Sequence, residues 1–386
     1  MGEDMFEQRF TVKYILANVD WVLMATVILL LCFSLVALST ATREKAADAS
    51  GRSLIWTKQA LGAVMGIGVM LFLALFDYSL LTYLAWPLYV LKIGLLTAVL
   101  VAGRTAMGAQ RWLKLGPLDL QPSEIAKLLC IIALAHYLTR KREGWNSWLE
   151  MVVPLALVTV PAVLVLKQPD LGTALVFWAI AFGMMFISGA PKRPLVTIVL
   201  LGVSLAVGAL VLHLKYGIPI PLQDYQIKRL VVFVNPEIDP LNTGYQVIQS
   251  RIAIGSGQLF GRGLYQGTQA AYFLPEAHTD FIFSVVGEEA GFVGGSLLLL
   301  LFLILILRAV SIAQKSKDEF GTLLAVGIAT MLVFQVTVNV GMTLGIMPVT
   351  GIPFPFMTAG VSSLTTTMAS MGILQSIYLR RRKIVF

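Results

Sequence analysis

Long apolar runs separated by short polar stretches dominate this sequence. Most runs have roughly 18 residues or more, which is enough for a helix to cross about 30 Å of hydrocarbon. Hydrophobic residues surround each predicted helix instead of forming one stripe, as expected for helices that face both lipid and protein. The pattern predicts about ten transmembrane helices, at residues 21–39, 55–76, 80–101, 123–138, 149–166, 171–188, 195–214, 281–307, 323–344 and 357–378.

Composition agrees with this all-α polytopic membrane fold. Of the 386 residues, 57% are hydrophobic and 13% are charged, whereas a soluble domain carries about 25% charged residues. No polar stretch is long enough for a separate soluble domain, so we expect one transmembrane domain over residues 1–386. The sequence has no nucleotide-binding glycine loop and no His/Cys metal spacing. We therefore expect no nucleic-acid partner and no metal held by a motif of that kind.

Basic residues in the short loops predict the orientation. An even number of spans puts both chain ends on one side of the membrane. That side receives the Lys/Arg clusters at residues 140–142, 192–193 and 380–383, which favours the cytoplasm. Segment 215–280, between the seventh and eighth predicted spans, then forms one large extracytoplasmic loop. The outer face also keeps several basic residues, and an anionic substrate would explain them.

Ionisable residues at the edges of predicted spans are candidates for function. Glu124 and Lys127 are three residues apart, so they share a helix face and can pair. The pair is either structural, or Glu124 orients Lys127 toward a phosphate. Arg111 and Trp112, in the loop before this helix, suit a phosphate-bearing lipid headgroup. Asp170 opens the sixth span, where it is either a helix cap or part of a site.

The long segment ends at a second candidate, Asp280, which lies where the chain re-enters the membrane. A carboxylate at that depth is partly desolvated, which raises its pKa and allows it to act as a general base. Capping of the following helix is the alternative role for Asp280. Earlier in the segment, residues 244–257 predict an amphipathic helix closed by glycines.

Several motifs occur in an order that resembles one family over essentially the whole chain. They are Arg111-Trp112, Gln121-Pro122-Ser123-Glu124-Ile125-Ala126-Lys127, Gln168-Pro169-Asp170-Leu171-Gly172-Thr173, Gly244-Tyr245-Gln246, Gln249-Ser250, Leu274-Pro275-Glu276 through Asp280-Phe281, Gly287-Glu288-Glu289, Pro348-Val349-Thr350-Gly351-Ile352-Pro353 and Pro355-Phe356. The chain resembles the SEDS (shape, elongation, division and sporulation) family of bacterial cell-wall glycosyltransferases. Residues 249–257, followed by 267–269, are similar to its rod-shape elongation branch, and 275–278 are shared with its division branch. Val361 departs from the family, which usually has glycine there.

The resemblance implies polymerisation of lipid II into glycan strands on the outer face of the bacterial cytoplasmic (inner) membrane. Asp280 matches the essential loop aspartate of the family and would act as general base on the acceptor sugar hydroxyl. Arg111, Lys127 and Arg229 would offset the charge of the pyrophosphate leaving group. The remaining candidate substrate contacts are Trp112, Glu124, Asp170, Gln249, Ser250 and His278.

The resemblance also implies partners. These are lipid II, the growing glycan strand, a class B penicillin-binding protein that acts as transpeptidase, and other membrane proteins of the elongation complex. A divalent cation, Mg²⁺ or Mn²⁺, could bind between carboxylates and phosphate oxygens. Two alternatives stay open: a lipid II flippase or scramblase, and a noncatalytic scaffold for a transpeptidase.

Overall fold

The computed structural model describes residues 16–42, 51–106, 109–115, 118–141, 144–145, 147–220, 223–239 and 243–381. Within them the chain forms long helices at every predicted apolar segment, which confirms the all-α polytopic membrane fold. These ten helices are α1 Trp21–Ala41, α2 Gly51–Leu75, α3 Leu80–Ala102, α4 Pro122–Thr139, α5 Val152–Leu166, α6 Leu171–Ile187, α7 Lys192–Tyr216, α10 Ile282–Lys315, α11 Glu319–Thr343 and α12 Val361–Leu379. Helices α8 Asp224–Val234 and α9 Thr243–Ser256 lie in the long segment between α7 and α10.

Eight spans are long and apolar enough to cross a membrane, but α6 and α12 fall short of those limits. The fifth span reaches 19 residues because the 3₁₀ turn Trp148–Met151 continues directly into α5. Helix α6 has 17 residues, and α12 is rich in Ser and Thr. The α12 hydroxyl groups are buried in protein, where two of them donate to carbonyls four residues earlier, from Thr367 to Ser363 and from Ser370 to Thr366. Internal hydrogen bonding explains how so polar a helix can occupy the centre of a membrane bundle.

Close contact between α2 and α12 depends on glycines. A Cβ atom on Gly66 would lie 2.8 Å from Cγ of Met368, and one on Gly372 would lie 2.6 Å from the carbonyl oxygen of Met70. Gly62 also faces α12, because a Cβ atom there would lie 3.3 Å from Cγ2 of Val361, so Gly62 and Gly66 together permit close helix packing. Helix α4 is central too, because it is 83% buried and contacts α3, α5, α6, α11 and α12.

Residues 103–121 were expected to be a loop before α4, but they contain regular structure. They include a three-stranded antiparallel sheet of β1 Arg104–Ala106, β2 Ala109–Leu115 and β3 Leu118–Leu120. Arg104 pairs with Trp112, and Leu113 pairs with Leu120. The hydroxyl of Ser362 at the start of α12 fastens this sheet, because it accepts from the amide of Gln121 and donates to the Asp119 carbonyl.

The described residues of segment 215–280 pack against the bundle through α10. The buried carboxylate of Glu288 on α10 accepts three backbone N–H groups at the start of the turn Gln269–Phe273, with distances of 2.7, 2.9 and 2.7 Å. Gly291 has a φ of 64° and interrupts the helical geometry of α10. Just after this break, the amides of residues 292 and 293 donate to the carbonyls of residues 258 and 259.

Connectivity places five helix starts on one face. Because successive spans alternate in direction, the even-numbered spans α2, α4, α6, α10 and α12 all begin on the side opposite the chain ends. The described ends meet on their own side, where Nη1 of Arg381 donates to the Asn18 carbonyl at 3.1 Å and Arg308 pairs with Asp20. The described residues of segment 215–280 therefore lie on the same face as those helix starts. Arg142, Arg382 and Lys383, which entered the orientation argument, lie outside the described residues.

Candidate active site

A cavity of about 760 Å³ opens on the face where α4, α6, α10 and α12 begin. Helix N-termini carry unpaired backbone N–H groups and positive dipole ends, so this position favours a negatively charged ligand. The cavity wall combines charged, aromatic and small residues: Arg111, Trp112, Asp119, Gln121, Pro169, Thr173, Tyr225, Arg229, Gln246, Glu276, His278, Thr279, Asp280, Gly351, Pro353, Thr358, Ala359, Gly360, Val361, Ser362 and Ser363.

The backbone at residues 278–280 is fixed by the C-terminal part of the chain. Three successive carbonyl groups each accept one hydrogen bond. The donors are the amide of Ala359 at 3.0 Å, Oγ1 of Thr358 at 3.0 Å and Nδ2 of Asn339 at 3.2 Å. These bonds hold the backbone of Asp280 in place and leave its side chain free to face the cavity.

The Asp280 carboxylate is half-buried at the cavity wall and accepts no hydrogen bond from any described residue. Helix α10 begins after Phe281, which has no side-chain cap, so the structure does not show Asp280 capping that helix. The pKa of Asp280 is raised to about 6, mainly by burial and also by the negative charges of Glu276 and Asp170, while Arg229 and Arg111 limit the rise. A carboxylate with that pKa is largely ionised at neutral pH and is more basic than an exposed aspartate.

Arg111 reaches the cavity from strand β2 and is held by the turn before α6. Its Nε donates to the carbonyl of Gln168 at 3.1 Å, its Nη2 donates to the carbonyl of Pro169, and its Nη1 lies 3.9 Å from Oδ2 of Asp170. Asp170 also caps α6, because its carboxylate accepts from the amide and the hydroxyl of Thr173 at 3.1 and 2.9 Å. Asp170 thus combines a capping role with a position beside a cavity arginine.

Arg229 reaches the same cavity from α8. Its guanidinium lies 5.6 Å from the ring of Tyr225 and donates to the carbonyl of Val349 at 3.4 Å. Gly351 lies between Arg229 and the candidate base. A Cβ atom placed on Gly351 would be 3.7 Å from Nη1 of Arg229 and 3.5 Å from Oδ2 of Asp280. The two charged groups therefore face one small space.

The other predicted site residues fall into two groups. Trp112 and His278 line the cavity with Arg111, Arg229 and Asp280. Glu124, Lys127, Gln249 and Ser250 lie elsewhere. Glu124 and Lys127 form an ion pair of 2.7 Å in which both side chains are almost fully buried. This pair confirms the predicted i,i+3 contact. Lys127 is absent from the cavity wall, however, so the expectation that it shares a cavity with Arg111 and Arg229 does not match the observed lining.

Gln249 and Ser250 also lie away from the cavity wall. The buried hydroxyl of Ser250 contacts Oγ of Ser284 and donates to the carbonyl of Thr343, both at 2.7 Å. This serine therefore joins α9 to α10 and α11. That contact explains its position inside a family motif without any contact to substrate.

Several cavity residues were not predicted. Glu276 and Gln246 lie inside the family motifs, so the motifs could have identified them as candidates. Tyr225 and Asp119 lie outside the motifs and could not be identified in this way. Asn339 lies within an apolar span, where a polar residue is costly and therefore informative. Among the described residues, no group of three or more His, Cys, Asp or Glu side chains could hold a metal ion. A divalent cation held partly by phosphate oxygens stays a prediction.

Comparison with known proteins identifies the family. A model of the FtsW/RodA/SpoVE family, described as cell cycle protein, matches residues 20–383. The chain belongs to this family, which is the SEDS family that the motifs indicated. It is 38% identical to stage V sporulation protein E of Bacillus subtilis (strain 168), over 93% of this chain and 96% of that protein. It is also 38% identical to peptidoglycan glycosyltransferase MrdB of Escherichia coli (strain K12), over 87% of this chain and 89% of MrdB.

A solved structure of this family agrees with the fold. Its study is entitled "Structural coordination of polymerization and crosslinking by a peptidoglycan synthase complex". The matching chain has a TM-score of 0.76 and 34% sequence identity, with 93% of this chain and 97% of that chain covered. The SEDS chain described here therefore shares its transmembrane architecture with a component of a peptidoglycan synthase complex.

Proposed function

We propose that this peptidoglycan glycosyltransferase polymerises lipid II at the 760 Å³ cavity, with Asp280 as general base. Lipid II is a disaccharide-pentapeptide linked to undecaprenyl pyrophosphate. The carrying observation is the environment of Asp280. Its carboxylate faces the cavity, accepts no hydrogen bond from a described residue, has a pKa raised to about 6, and lies near two arginines. A base must be ionised, basic and open to substrate, and this side chain meets those three conditions.

The proposed reaction follows from that arrangement. Asp280 accepts the proton of the acceptor sugar hydroxyl, and the hydroxyl oxygen attacks the anomeric carbon of the donor. The new C–O bond forms as the bond to pyrophosphate breaks, and the leaving group departs with that electron pair. Arg111 and Arg229 stabilise its negative charge, together with the helix N-termini that face the cavity. Trp112 and His278 contact the sugars.

We place the cavity on the extracytoplasmic face of the bacterial cytoplasmic membrane. The support is charge asymmetry, because the opposite end of the bundle carries the Lys/Arg clusters that favour a cytoplasmic location. A site at this depth suits the substrate. The polyprenyl chain stays in the bilayer, while the pyrophosphate and sugars occupy the headgroup layer.

We also propose that the enzyme acts in cell elongation with a class B penicillin-binding protein, which cross-links the new glycan, and with other membrane proteins of the elongation complex. Residues 249–257 and 267–269 have the sequence motif of the elongation branch, which supports assignment to that branch. Overall identity does not decide the branch, because the chain is equally identical to a sporulation protein and to MrdB. The assignment therefore rests on this motif. The similarity to a component of a peptidoglycan synthase complex supports the partner.

Polymerisation by purified protein tests the activity against the flippase and scaffold alternatives. We expect the wild type to convert lipid II into glycan polymer in liposomes that contain no other glycosyltransferase. Asp280→Asn should bind lipid II and make no polymer. Glu237→Gln, which removes an exposed carboxylate from the same segment outside the cavity, is the matched control and should polymerise normally.

The outcomes separate the hypotheses. Lipid II scrambling by the wild type without polymer would favour a flippase. Inactive wild type that still captures a transpeptidase would favour a scaffold. Polymerisation by Asp280→Asn at close to the wild-type rate would keep the enzyme and remove the base assignment.

A further inference from the structure

A second cavity, of about 130 Å³, shares Arg229 with the catalytic cavity and none of its other lining residues. Its wall comes from α8, from α9 and from the segment after α11. The lining residues are Arg229, Phe233, Val234, Pro236, Val247, Arg251, Gly345, Met347, Pro348 and Val349. Arg229 is therefore a common wall between two cavities.

The second cavity is positively charged. Arg229 and Arg251 line it, and no carboxylate does. Arg251, on α9, forms no hydrogen bond or ion pair with any described residue, whereas Arg111 and Arg308 lie beside Asp170 and Asp20. Arg229 meets the Asp280 carboxylate only on the side of the larger cavity, and no carboxylate lines the second cavity beside Arg251. Two guanidinium groups in this setting favour an oxyanion, because arginine binds phosphate oxygens with two parallel donors.

The backbone makes room for the Arg251 side chain. Gly345 has a φ of +73°, and a Cβ atom at this position would lie 3.1 Å from Cδ of Arg251. Exposed apolar side chains lie beside these arginines in the cavity lining, among them Val234, which is 80% exposed. Charged and apolar groups side by side suit a phosphate group attached to a hydrocarbon chain better than they suit a free, fully hydrated ion.

We propose that the second cavity binds the phosphate group of a lipid through Arg251 and Arg229. Under the proposed function, on which this identity rests, the ligand is the polyprenyl pyrophosphate that leaves the sugar. Arg229 contacts it first in the catalytic cavity and then in the second cavity. A membrane phospholipid headgroup carries the same chemistry and is the other source of the phosphate.

Binding of inorganic pyrophosphate tests the site without any polymerisation. The full chain in phosphatidylcholine nanodiscs is titrated calorimetrically. We expect the wild type to bind pyrophosphate at two sites. Arg251→Gln should weaken one of them about tenfold or more, as expected for loss of a charged hydrogen bond. Arg111→Gln should weaken the other. Arg262→Gln is the matched control, since Arg262 is on the same segment, outside both cavities, and donates to Thr268.

Two further arms identify the source of the phosphate. If farnesyl pyrophosphate displaces pyrophosphate from the Arg251-dependent site, the ligand is a polyprenyl pyrophosphate. If nanodiscs of phosphatidylglycerol occupy that site instead, the ligand is a headgroup. Both results support the site. Equal binding of pyrophosphate and farnesyl pyrophosphate by wild type and Arg251→Gln would overturn it.

The outcome is separable from that of the proposed function. Asp280→Asn should still bind pyrophosphate at both sites, and no more weakly than the wild type, because it removes a negative charge that faces Arg229. A wild type that makes no polymer, yet shows Arg251-dependent binding, would refute the glycosyltransferase mechanism and leave the site standing. Polymerisation together with Arg251-independent binding would do the reverse.

Discussion

A carboxylate that accepts a proton works only while it is ionised, and burial raises the pKa of Asp280 to about 6. About nine-tenths of such carboxylates are ionised at pH 7 and about one-tenth at pH 5. We therefore expect lipid II polymerisation to fall roughly tenfold between these two pH values. At the ordinary aspartate pKa of 3.8, the same change of pH would cost less than about a tenth of the activity.

This fall in rate at low pH is the acid limb of the pH–rate profile. Two charged neighbours of Asp280 should move the limb in opposite directions. Arg229→Gln removes a positive charge, so the pKa of Asp280 rises and the limb moves to higher pH. Glu276→Gln removes a negative charge, so the pKa falls and the limb moves to lower pH. Glu237→Gln removes a charge outside the cavity and should leave the limb in place. Initial rates between about pH 4.5 and 8, at constant ionic strength, measure these shifts.

The comparison among variants is what makes the test strict. The substrate has titratable groups of its own, but they are the same in every reaction, so a difference in limb position reports on the enzyme. Arg229→Gln should also lower the plateau rate, because in the proposed reaction the arginine contacts the leaving group. The plateau is read independently of the limb. A limb near pH 4, or shifts of the same sign in the Arg229 and Glu276 variants, would refute the reasoning.

Thermal stability provides a check on Asp280→Asn, the variant expected to be inactive. The folded-state pKa of Asp280 lies above the unfolded value, so ionisation destabilises the folded protein above about pH 6. A shift of about two units corresponds to at most ~3 kcal/mol, and water in the cavity reduces that figure. Asp280→Asn should therefore unfold at a higher temperature than the wild type at pH 8. This advantage should disappear as pH falls from about 6 to 4. A destabilised Asp280→Asn would mean that lost activity reflects misfolding.

Three further predictions concern the surroundings of the base. Lys127→Met should cost about 3–5 kcal/mol of stability, because it leaves Glu124 buried and unpaired. The double variant Glu124→Gln with Lys127→Met should restore both stability and polymerisation. A stable but inactive double variant would give Lys127 a direct role. Asn339→Leu removes a donor to the backbone carbonyl of the base and should lower kcat with little change in KM, whereas reduced stability at an unchanged kcat would assign it to packing alone. Gly351 and Gly217 have similar positive φ values, 70° and 65°, so replacing either by alanine should cost about 1 kcal/mol of stability. Only Gly351→Ala should reduce polymerisation, because its methyl group enters the cavity.

Hydrophobic runs predicted the helices well, because crossing the bilayer requires about twenty apolar residues whatever the helix contacts. The sheet at β1, β2 and β3 was missed for the opposite reason. Its outer strands have three residues each, too short to show alternation, and they are defined by pairing such as that of Leu113 with Leu120. Local spacing alone could not reveal this pairing.

The site shows the same division. The spacing of Glu124 and Lys127 predicted their ion pair, since neighbours on a helix face are fixed by helix geometry. Spacing could not predict whether that face meets the cavity or the core, because adjacent helices decide it. Arg111, Arg229 and Asp280 come from a strand, a helix and a turn far apart in the chain. Their convergence was expected from the family resemblance, and packing brings it about.

The position of Asp280, the proposed base, also explains why arginines accompany it. Deep burial of Asp280 in the bilayer would raise its pKa far above neutrality, and full exposure in a loop would leave it weakly basic. At the start of a span it is half-buried, and Arg229 and Arg111 limit the rise that burial causes. The same guanidinium groups face the departing pyrophosphate in the proposed reaction, so they hold the base ionised before transfer and stabilise the leaving group during it. Removing Arg229 therefore affects two steps at once. Only the position of the acid limb separates them, because charge on the leaving group alters the rate without altering the pKa of the free base.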